Sequence, residues 1–420
     1  MSKIKSFTAV EVLDSRGRPT VHAICQLATG HAASATVPSG ASTGSAEALE
    51  LRDGDIGRYA GLGCLKAVAN VNLEINHALA GKDFADQAEL DQCLLELDGT
   101  VNKSRLGANA ILAVSLAFCR AQAAEQGIPL YSHFAHLAGG SPILPRPMIN
   151  LFSGGAHGGE QIAIQDVQIV VPFARSIRQT LEVMSDVFRA AVALVLERYG
   201  MRLLTADEGG LAPEFESSEA MLAAAVEAIN LAGYRPGNEV GLTVDVAASQ
   251  FHGEAGYHID GEFIDRGSMI DLIDKWCAAY PIFSVEDGLQ EADWEGWQRL
   301  FQRLRGHTMI LGDDLLCTNP GRIRRAIAEE ACDSLLLKVN QVGTLTEALE
   351  AMNLARNAGW KVVVSARSGE TEDDWLADLA AGWVGDYIKV GSITQSERLA
   401  KYNRLLVLEA MCGLRLAKAR

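Results

Sequence analysis

The stretch that decides the fold reads Ser334-Leu335-Leu336-Leu337-Lys338-Val339-Asn340-Gln341-Val342-Gly343-Thr344-Leu345. A short apolar run ends at Lys338, and Gly343 marks a turn before a helical stretch over residues 344–358. A buried strand followed directly by a helix is typical of parallel β/α architecture. The stretch therefore predicts one β/α unit with a charged side chain at the carboxyl end of its strand.

The same alternation recurs along residues 136–420, which we assign to one domain. The predicted strands cover residues 148–151, 163–171, 242–245, 282–286, 309–312, 334–338, 362–365 and 387–390. Eight strands separated by helical stretches, such as residues 175–198, predict a closed β/α barrel of the TIM type. A doubly wound open sheet is the rival, but such a sheet usually carries Gly-x-Gly-x-x-Gly after its first strand, and the chain lacks that motif.

Residues 1–135 have a different texture, which predicts a small α+β domain. Residues 4–37 alternate β-branched and polar side chains between turn signals, as an antiparallel meander does. Residues 106–126 are rich in alanine and leucine until Gly127 and Pro129 end the predicted helix. The predicted fold class is α/β, with a small α+β domain preceding the barrel.

Composition limits the partners. The formal net charge of −16 disfavours nucleic acid, and no basic run offsets it. The longest strongly apolar run, residues 111–119, is too short to span a membrane. Eight cysteines include no Cys-x-x-Cys pair, as expected of reduced thiols. We predict a cytoplasmic protein without nucleic acid or membrane partners.

Six charged residues lie at or just after the ends of predicted strands: Asp245, Glu286, Asp313, Lys338, Arg367 and Lys389. One acidic residue after a strand is most often a helix cap or a turn residue. Repetition over successive units weakens that reading. Since the carboxyl ends of barrel strands form one active-site face, we predict that these side chains converge on one pocket.

The residue types in this group predict a chemistry. Three carboxylates without histidine or thiolate suit Mg²⁺ better than zinc or iron. Arg367 can bind a phosphate bidentately, and a lysine crowded by other cations can have a lowered pKa and act as a general base. The predicted ligand is a small phosphorylated carboxylic acid, and the predicted reaction removes a proton next to its carboxylate.

Two small-residue stretches have open interpretations. Residues 37–44 lack the lysine of a phosphate-binding P-loop and form either an inert surface loop or a lid over the barrel mouth. Residues 154–159 form either a simple turn or a loop that carries His157 into the site.

Several motifs resemble those of the enolase family along nearly the whole chain. They include Leu13-Asp14-Ser15-Arg16-Gly17, Asp207-Glu208-Gly209-Gly210, Lys338-Val339-Asn340-Gln341, Ser368-Gly369-Glu370-Thr371-Glu372-Asp373 and Ser396-Glu397-Arg398-Leu399-Ala400-Lys401-Tyr402-Asn403. The resemblance implies an enolase-type barrel that catalyses the reversible dehydration of 2-phosphoglycerate to phosphoenolpyruvate, and it implies a homodimer or larger homo-oligomer.

The resemblance also implies roles for individual residues. Asp245, Glu286 and Asp313 would bind a first Mg²⁺, and Ser39 would help to bind a second with the substrate. Lys338 would be the base, and Glu208 the acid that helps the hydroxyl to leave. Lys389 would bind the carboxylate, Arg367 and Ser368 the phosphate, and Gln165 and His157 would line the substrate.

Some positions depart from the family pattern. Ala366 replaces a histidine, and Asp166 replaces a glutamate, which retracts a catalytic carboxylate by roughly 1.5 Å. Ser153 replaces an asparagine, Arg18 another asparagine, and His22 and Val407 replace both members of an intersubunit ion pair. Three hypotheses follow: an active enolase, a relative acting on another phosphorylated or phosphonate carboxylic acid, or a non-catalytic binding or scaffold protein.

Overall fold

The computed structural model describes residues 1–41, 44–200 and 204–418. The chain begins with a four-stranded antiparallel sheet in the order β3-β2-β1-β4. Its strands are β1 Ser2–Leu13, β2 Pro19–Leu27, β3 Ala32–Thr36 and β4 Asp83–Phe84. The first three form the predicted meander.

Five helices complete the N-terminal domain: α1 Leu65–Asn70, α2 Asn76–Leu79, α3 Gln87–Asp98, α4 Ala108–Gln126 and α5 Leu130–Ala138. Helix α4 packs against β2 and β3, and its apolar side chains are buried. It ends where Gly127 adopts a left-handed conformation with φ 66°, which glycine favours. The predicted boundary between residues 135 and 136 falls inside α5 and stays a prediction.

Eight strands close into a barrel in the order β11-β12-β13-β14-β15-β5-β6-β7, which confirms the predicted architecture. The barrel strands are β5 Arg146–Ser153, β6 Asp166–Val170, β7 Gly241–Asp245, β11 Ile282–Glu286, β12 Met309–Gly312, β13 Ser334–Leu337, β14 Lys361–Ser365 and β15 Tyr387–Gly391. After β7 comes a small antiparallel sheet of β8 His252–Gly253, β9 Gly256–Ile259 and β10 Glu262–Ile264.

The second barrel strand corrects the expectation of uniformly parallel units. Strand β6 runs antiparallel to both β5 and β7, because a loop without an α-helix joins it to β5. Its amino end therefore lies beside the carboxyl ends of its neighbours: Asp166 is opposite Ser153 on one side and Asp245 on the other. This reversal places Asp166 on the predicted active-site face.

The other helices surround the barrel: α6 Ile177–Tyr199, α7 Ser218–Leu231, α8 Arg266–Ala279, α9 Trp294–Leu304, α10 Pro320–Ala328, α11 Leu345–Asn357, α12 Trp375–Gly382 and α13 Ser396–Cys412. The predicted helices over residues 175–198 and 344–358 correspond to α6 and α11. Thr344 caps α11 by accepting from the backbone N–H of Glu347. None of the described helices combines the length and apolarity needed to cross a membrane.

Candidate active site

Five of the six predicted strand-end residues are buried at one rim of the barrel, and the sixth, Lys338, is partly buried. Asp245 and Glu286 end β7 and β11, and Lys389 lies in β15. The other three follow β12, β13 and β14 by one or two residues. Because the six strands point the same way, their carboxyl ends bring together charged residues that are far apart in sequence.

Lys389 bridges two of the predicted metal ligands. Its Nζ donates to Asp245 Oδ2 at 2.7 Å and to both Glu286 oxygens at 2.9 and 2.8 Å. Burial and the charge of Asp245 raise the pKa of Glu286 well above its usual value. Burial lowers the pKa of Lys389, but the two carboxylates outweigh it and hold this pKa well above normal. The ammonium is therefore charged and shared between two carboxylates.

Asp313 is held by a second lysine. Its Oδ2 accepts from Lys338 Nζ, and its Oδ1 accepts from Gln341 Nε2 at 2.9 Å. Burial lowers the pKa of Lys338, but the charge of Asp313 outweighs it and raises the pKa. The lowered lysine pKa expected from crowding by cations is therefore wrong for this arrangement, because the closest charge is an acid.

The donor set fits a hard divalent cation. Asp245, Glu286 and Asp313 offer only carboxylate oxygens, which Mg²⁺ prefers, and their side-chain partners are lysines and amides. Some groups of acidic and histidine side chains in the described residues have all their ligand atoms within 4.8 Å of one another, and we call these tight groups. Asp245, Glu286 and Asp313 do not together form one. Lys389 instead bridges Asp245 and Glu286, and Lys338 pairs with Asp313.

One tight group consists of His157, Asp166 and Glu208. Asp166 Oδ1 accepts from Ser153 Oγ at 2.5 Å and from Asn150 Nδ2 at 3.0 Å, and Asp166 Oδ2 lies 3.2 Å from His157 Nδ1. Asn150 Nδ2 also donates to Glu208 Oε2 at 3.1 Å. The network links the predicted acid Glu208, the retracted carboxylate of Asp166 and His157, which was predicted to line the substrate.

The network places its proton on the histidine. Burial lowers the pKa of His157, but Glu208 and Asp166 together raise it to about 9. Burial raises the pKa of Asp166, whereas for Glu208 the charges of His157 and Arg398 outweigh burial and lower the pKa. Glu208 is thus an acceptor in this state, and its predicted role as the acid stays a prediction.

We expect His157 to titrate near pH 9 in the folded protein, followed by the imidazole proton resonances. In the Asp166→Asn variant one of its two anionic neighbours is neutral, so the pKa should fall towards about 6.5. Because the folded pKa is raised, the stability from protonation is complete below about pH 6.5 and is lost as pH rises through 9. A titration near pH 6.5 in the unmutated protein would contradict the network.

Ser153 and Asp166 are expected to behave as one unit. The 2.5 Å contact leaves no room for another methylene, so Asp166→Glu should reduce the free energy of unfolding by about 1–3 kcal/mol. Removing the hydroxyl with Ser153→Ala in the same chain should recover part of this loss, measured by urea unfolding. Asp271→Glu on α8, whose side chain is 71% exposed, is the control. Strict additivity of the two changes would refute the coupling.

Arg367 is engaged by the N-terminal domain. Its Nη1 donates to Glu47 Oε2 at 3.0 Å and to Asn340 Oδ1 at 3.1 Å, and its Nη2 donates to Glu47 Oε1 at 3.2 Å. Burial lowers the pKa of Arg367, but Glu47 outweighs it and raises the pKa. Glu47 and Asn340 were not predicted, although both lie in or beside stretches that the sequence singles out.

Ser39 and Gln165 complete the predicted set. Ser39 is buried, and its Oγ donates to Glu50 Oε2 at 3.0 Å. Gln165 Nε2 donates to Asp245 Oδ2 at 3.0 Å. Residues 42 and 43, in the stretch 37–44 interpreted as either an inert loop or a lid, lie outside the described residues. Ala366 is buried and carries only a methyl group beside Arg367.

Family comparisons match both parts of the chain. The model described as "Enolase, N-terminal domain" matches residues 4–134. The model described as "Enolase, C-terminal TIM barrel domain" matches residues 141–417.

Proposed function

The chain belongs to the enolase family, and we propose that it catalyses the Mg²⁺-dependent, reversible dehydration of 2-phosphoglycerate to phosphoenolpyruvate. The observation that carries the proposal is the pairing of lysines with strand-end carboxylates: Lys389 with Asp245 and Glu286, and Lys338 with Asp313. A buried group of both charges can bind an anionic substrate and move a proton within it.

Proton abstraction is assigned to Lys338. Asp245, Glu286 and Asp313 would hold the first Mg²⁺, and Ser39 would help to hold a second with the substrate. Bound Mg²⁺ supplies positive charge to the substrate carboxylate and to the enolate-like group formed on deprotonation. Asp313, which keeps Lys338 protonated, is also a proposed metal ligand, so cation binding would weaken its hold on that proton. Lys389 would bind the substrate carboxylate.

Departure of the hydroxyl is assigned to the network of His157, Asp166 and Glu208. His157 carries a proton between two carboxylates at neutral pH, so the network holds a proton that Glu208 could receive and pass to the leaving oxygen. Asn150 donates to both Asp166 and Glu208 and so fixes the two carboxylates relative to each other. Gln165 would line the substrate beside Asp245.

The phosphate is assigned to Arg367 and Ser368. Arg367 already binds a carboxylate with both Nη atoms, and a phosphate offers the same geometry. Substrate phosphate would therefore replace Glu47 at Arg367. The segment of the N-terminal domain that carries Glu47 would then change position when substrate binds.

The proposed assembly is a cytoplasmic homo-oligomer without nucleic acid or membrane partners. Exposed apolar side chains on β1 and α13, including Val10, Leu13, Val407 and Met411, provide surface for a second copy. Sedimentation at several protein concentrations tests this, and a monomer at all of them would refute it.

A related phosphorylated or phosphonate carboxylic acid is the second candidate substrate. The observation that favours it is that the buried Ala366 carries only a methyl group beside Arg367, the residue assigned to the phosphate. The base and the proposed metal ligands are the same for either substrate. A scaffold role has no comparable support.

The decisive experiment follows phosphoenolpyruvate absorbance with purified protein, 2-phosphoglycerate and saturating Mg²⁺, with a chelated sample as the control. Mg²⁺-dependent turnover is expected. A folded protein that binds Mg²⁺ but leaves 2-phosphoglycerate unchanged would refute this substrate and favour the second candidate. Turnover that survives chelation would refute the metal assignment.

A further inference from the structure

One guanidinium connects three segments next to the proposed phosphate site. Arg16 lies in the turn after β1, and its side chain is 5% exposed. Its Nη1 donates to Ser368 Oγ at 3.0 Å, and its Nη2 donates to the Ser39 carbonyl oxygen at 3.1 Å. The turn, the segment around Ser39 and the loop after β14 therefore meet at Arg16.

The turn fixes the orientation of this guanidinium. Asp14 Oδ1 accepts from the backbone N–H groups of Arg16 and Arg18 at 2.8 and 2.9 Å, and Asp14 Oδ2 pairs with Arg16 Nη2 at 3.2 Å. The Asp14 side chain is fully buried. A planar guanidinium held in this way presents its remaining N–H groups in fixed directions.

The two other segments are hydrogen bonded to each other beneath the guanidinium. Ser39 N donates to the Gly369 carbonyl at 2.8 Å, and Gly369 N donates to the Ser39 carbonyl at 2.9 Å. A Cβ on residue 369 would collide with Arg16 Nη2 and with the Asp14 carboxylate, so only glycine fits there. The Ser39 carbonyl thus accepts from both Gly369 and Arg16.

The contact with Ser368 has a chemical consequence. A serine hydroxyl has one proton to donate and can accept as well. Because Arg16 donates to Ser368 Oγ, the serine proton is left for an anionic ligand, and the positive charge strengthens that donor. Arg398 holds the backbone of the same loop, donating to the carbonyls of Arg367 and Ser368 at 2.7 and 2.5 Å.

We propose that Arg16 is a positioning residue that orients the Ser368 hydroxyl towards the substrate phosphate and fixes Ser39 against the loop after β14. The part that concerns phosphate rests on the proposed function, whereas the coupling of Ser39 to Gly369 does not. Arg16 acts through Ser368 and Ser39, so its loss should weaken phosphate binding more than it slows the chemical step.

The test compares Arg16→Met and Arg16→Lys with Arg18→Met, which removes an exposed arginine two residues away. Hydrogen exchange at the Ser39 and Gly369 amides should be at least about tenfold faster in both Arg16 variants and unchanged in the Arg18 variant, since lysine lacks the planar fork. The KM for 2-phosphoglycerate and the Kd for inorganic phosphate should rise at least about tenfold, with kcat changing less than about threefold.

Unchanged exchange at the Ser39 and Gly369 amides in the Arg16 variants would overturn the coupling, and unchanged phosphate affinity would overturn the orientation of Ser368. A larger fall in kcat than rise in KM would also contradict a positioning role. Arg16→Lys keeps the charge and serves if Arg16→Met does not fold. Absence of turnover in the unmutated protein would refute only the proposed function, because exchange and phosphate binding are measured without the reaction.

Discussion

Replacing Lys338 by alanine is expected to lower kcat on the true substrate by at least about a thousandfold, because the reaction then lacks its general base. The measurement is steady-state turnover of 2-phosphoglycerate at saturating Mg²⁺. Exchange of the substrate proton with D₂O gives a second reading, since it reports proton abstraction even where a later step limits the rate.

The informative control is Lys338→Arg. Arginine keeps a positive charge beside Asp313 but stays protonated at any ordinary pH, so it can replace the ion pair without acting as a base. We expect Lys338→Arg to fold normally and to remain as inactive as the alanine variant. Turnover within about tenfold of the unmutated enzyme would remove Lys338 as the base and leave it a structural role.

The barrel could be predicted from the sequence because apolar strands alternate with helical stretches, and six of the eight strands have a charged residue at or just after their carboxyl end. The direction of β6 could not be predicted, because alternation with period two is the same whichever way a strand runs. The missing signal was the connection: residues 154–165 hold no α-helical stretch, whereas parallel neighbours need a crossover. The short strands β8 to β10 escaped prediction because two to four residues carry little periodicity.

The candidate site was predictable where a charged residue lies at or just after the end of a strand, as with Glu286 and Lys338. The residues from distant segments that contact the site, such as Glu47 and Asn150, could not be predicted, because only tertiary packing brings them to it. The expectation that the pKa of Lys338 is lowered was wrong for a related reason. The six strand-end residues comprise three acids and three cations, but only the fold makes Asp313 the nearest charge to Lys338.

Lys389→Met should reduce the free energy of unfolding in Mg²⁺-free buffer by about 3–5 kcal/mol, because it leaves two buried carboxylates without their shared cation. Urea unfolding with a chelator gives the value. The control is Lys361→Met, which removes a half-exposed ion pair with Asp386 and should cost less than about 1 kcal/mol. Both variants replace a lysine by methionine, so the difference measures what a buried lysine shared by two carboxylates contributes beyond a half-exposed single ion pair.

Magnesium should reverse part of the loss. In the unmutated protein the Lys389 ammonium contacts the oxygens of Asp245 and Glu286 that a divalent cation would use, so the two compete. Without the lysine, saturating Mg²⁺ should stabilise the fold more than it stabilises the unmutated protein, through its preferential binding to the native state. A large loss that Mg²⁺ leaves untouched would mean that these carboxylates need a cation but do not hold a metal. A loss no larger than that of Lys361→Met would mean that they need neither.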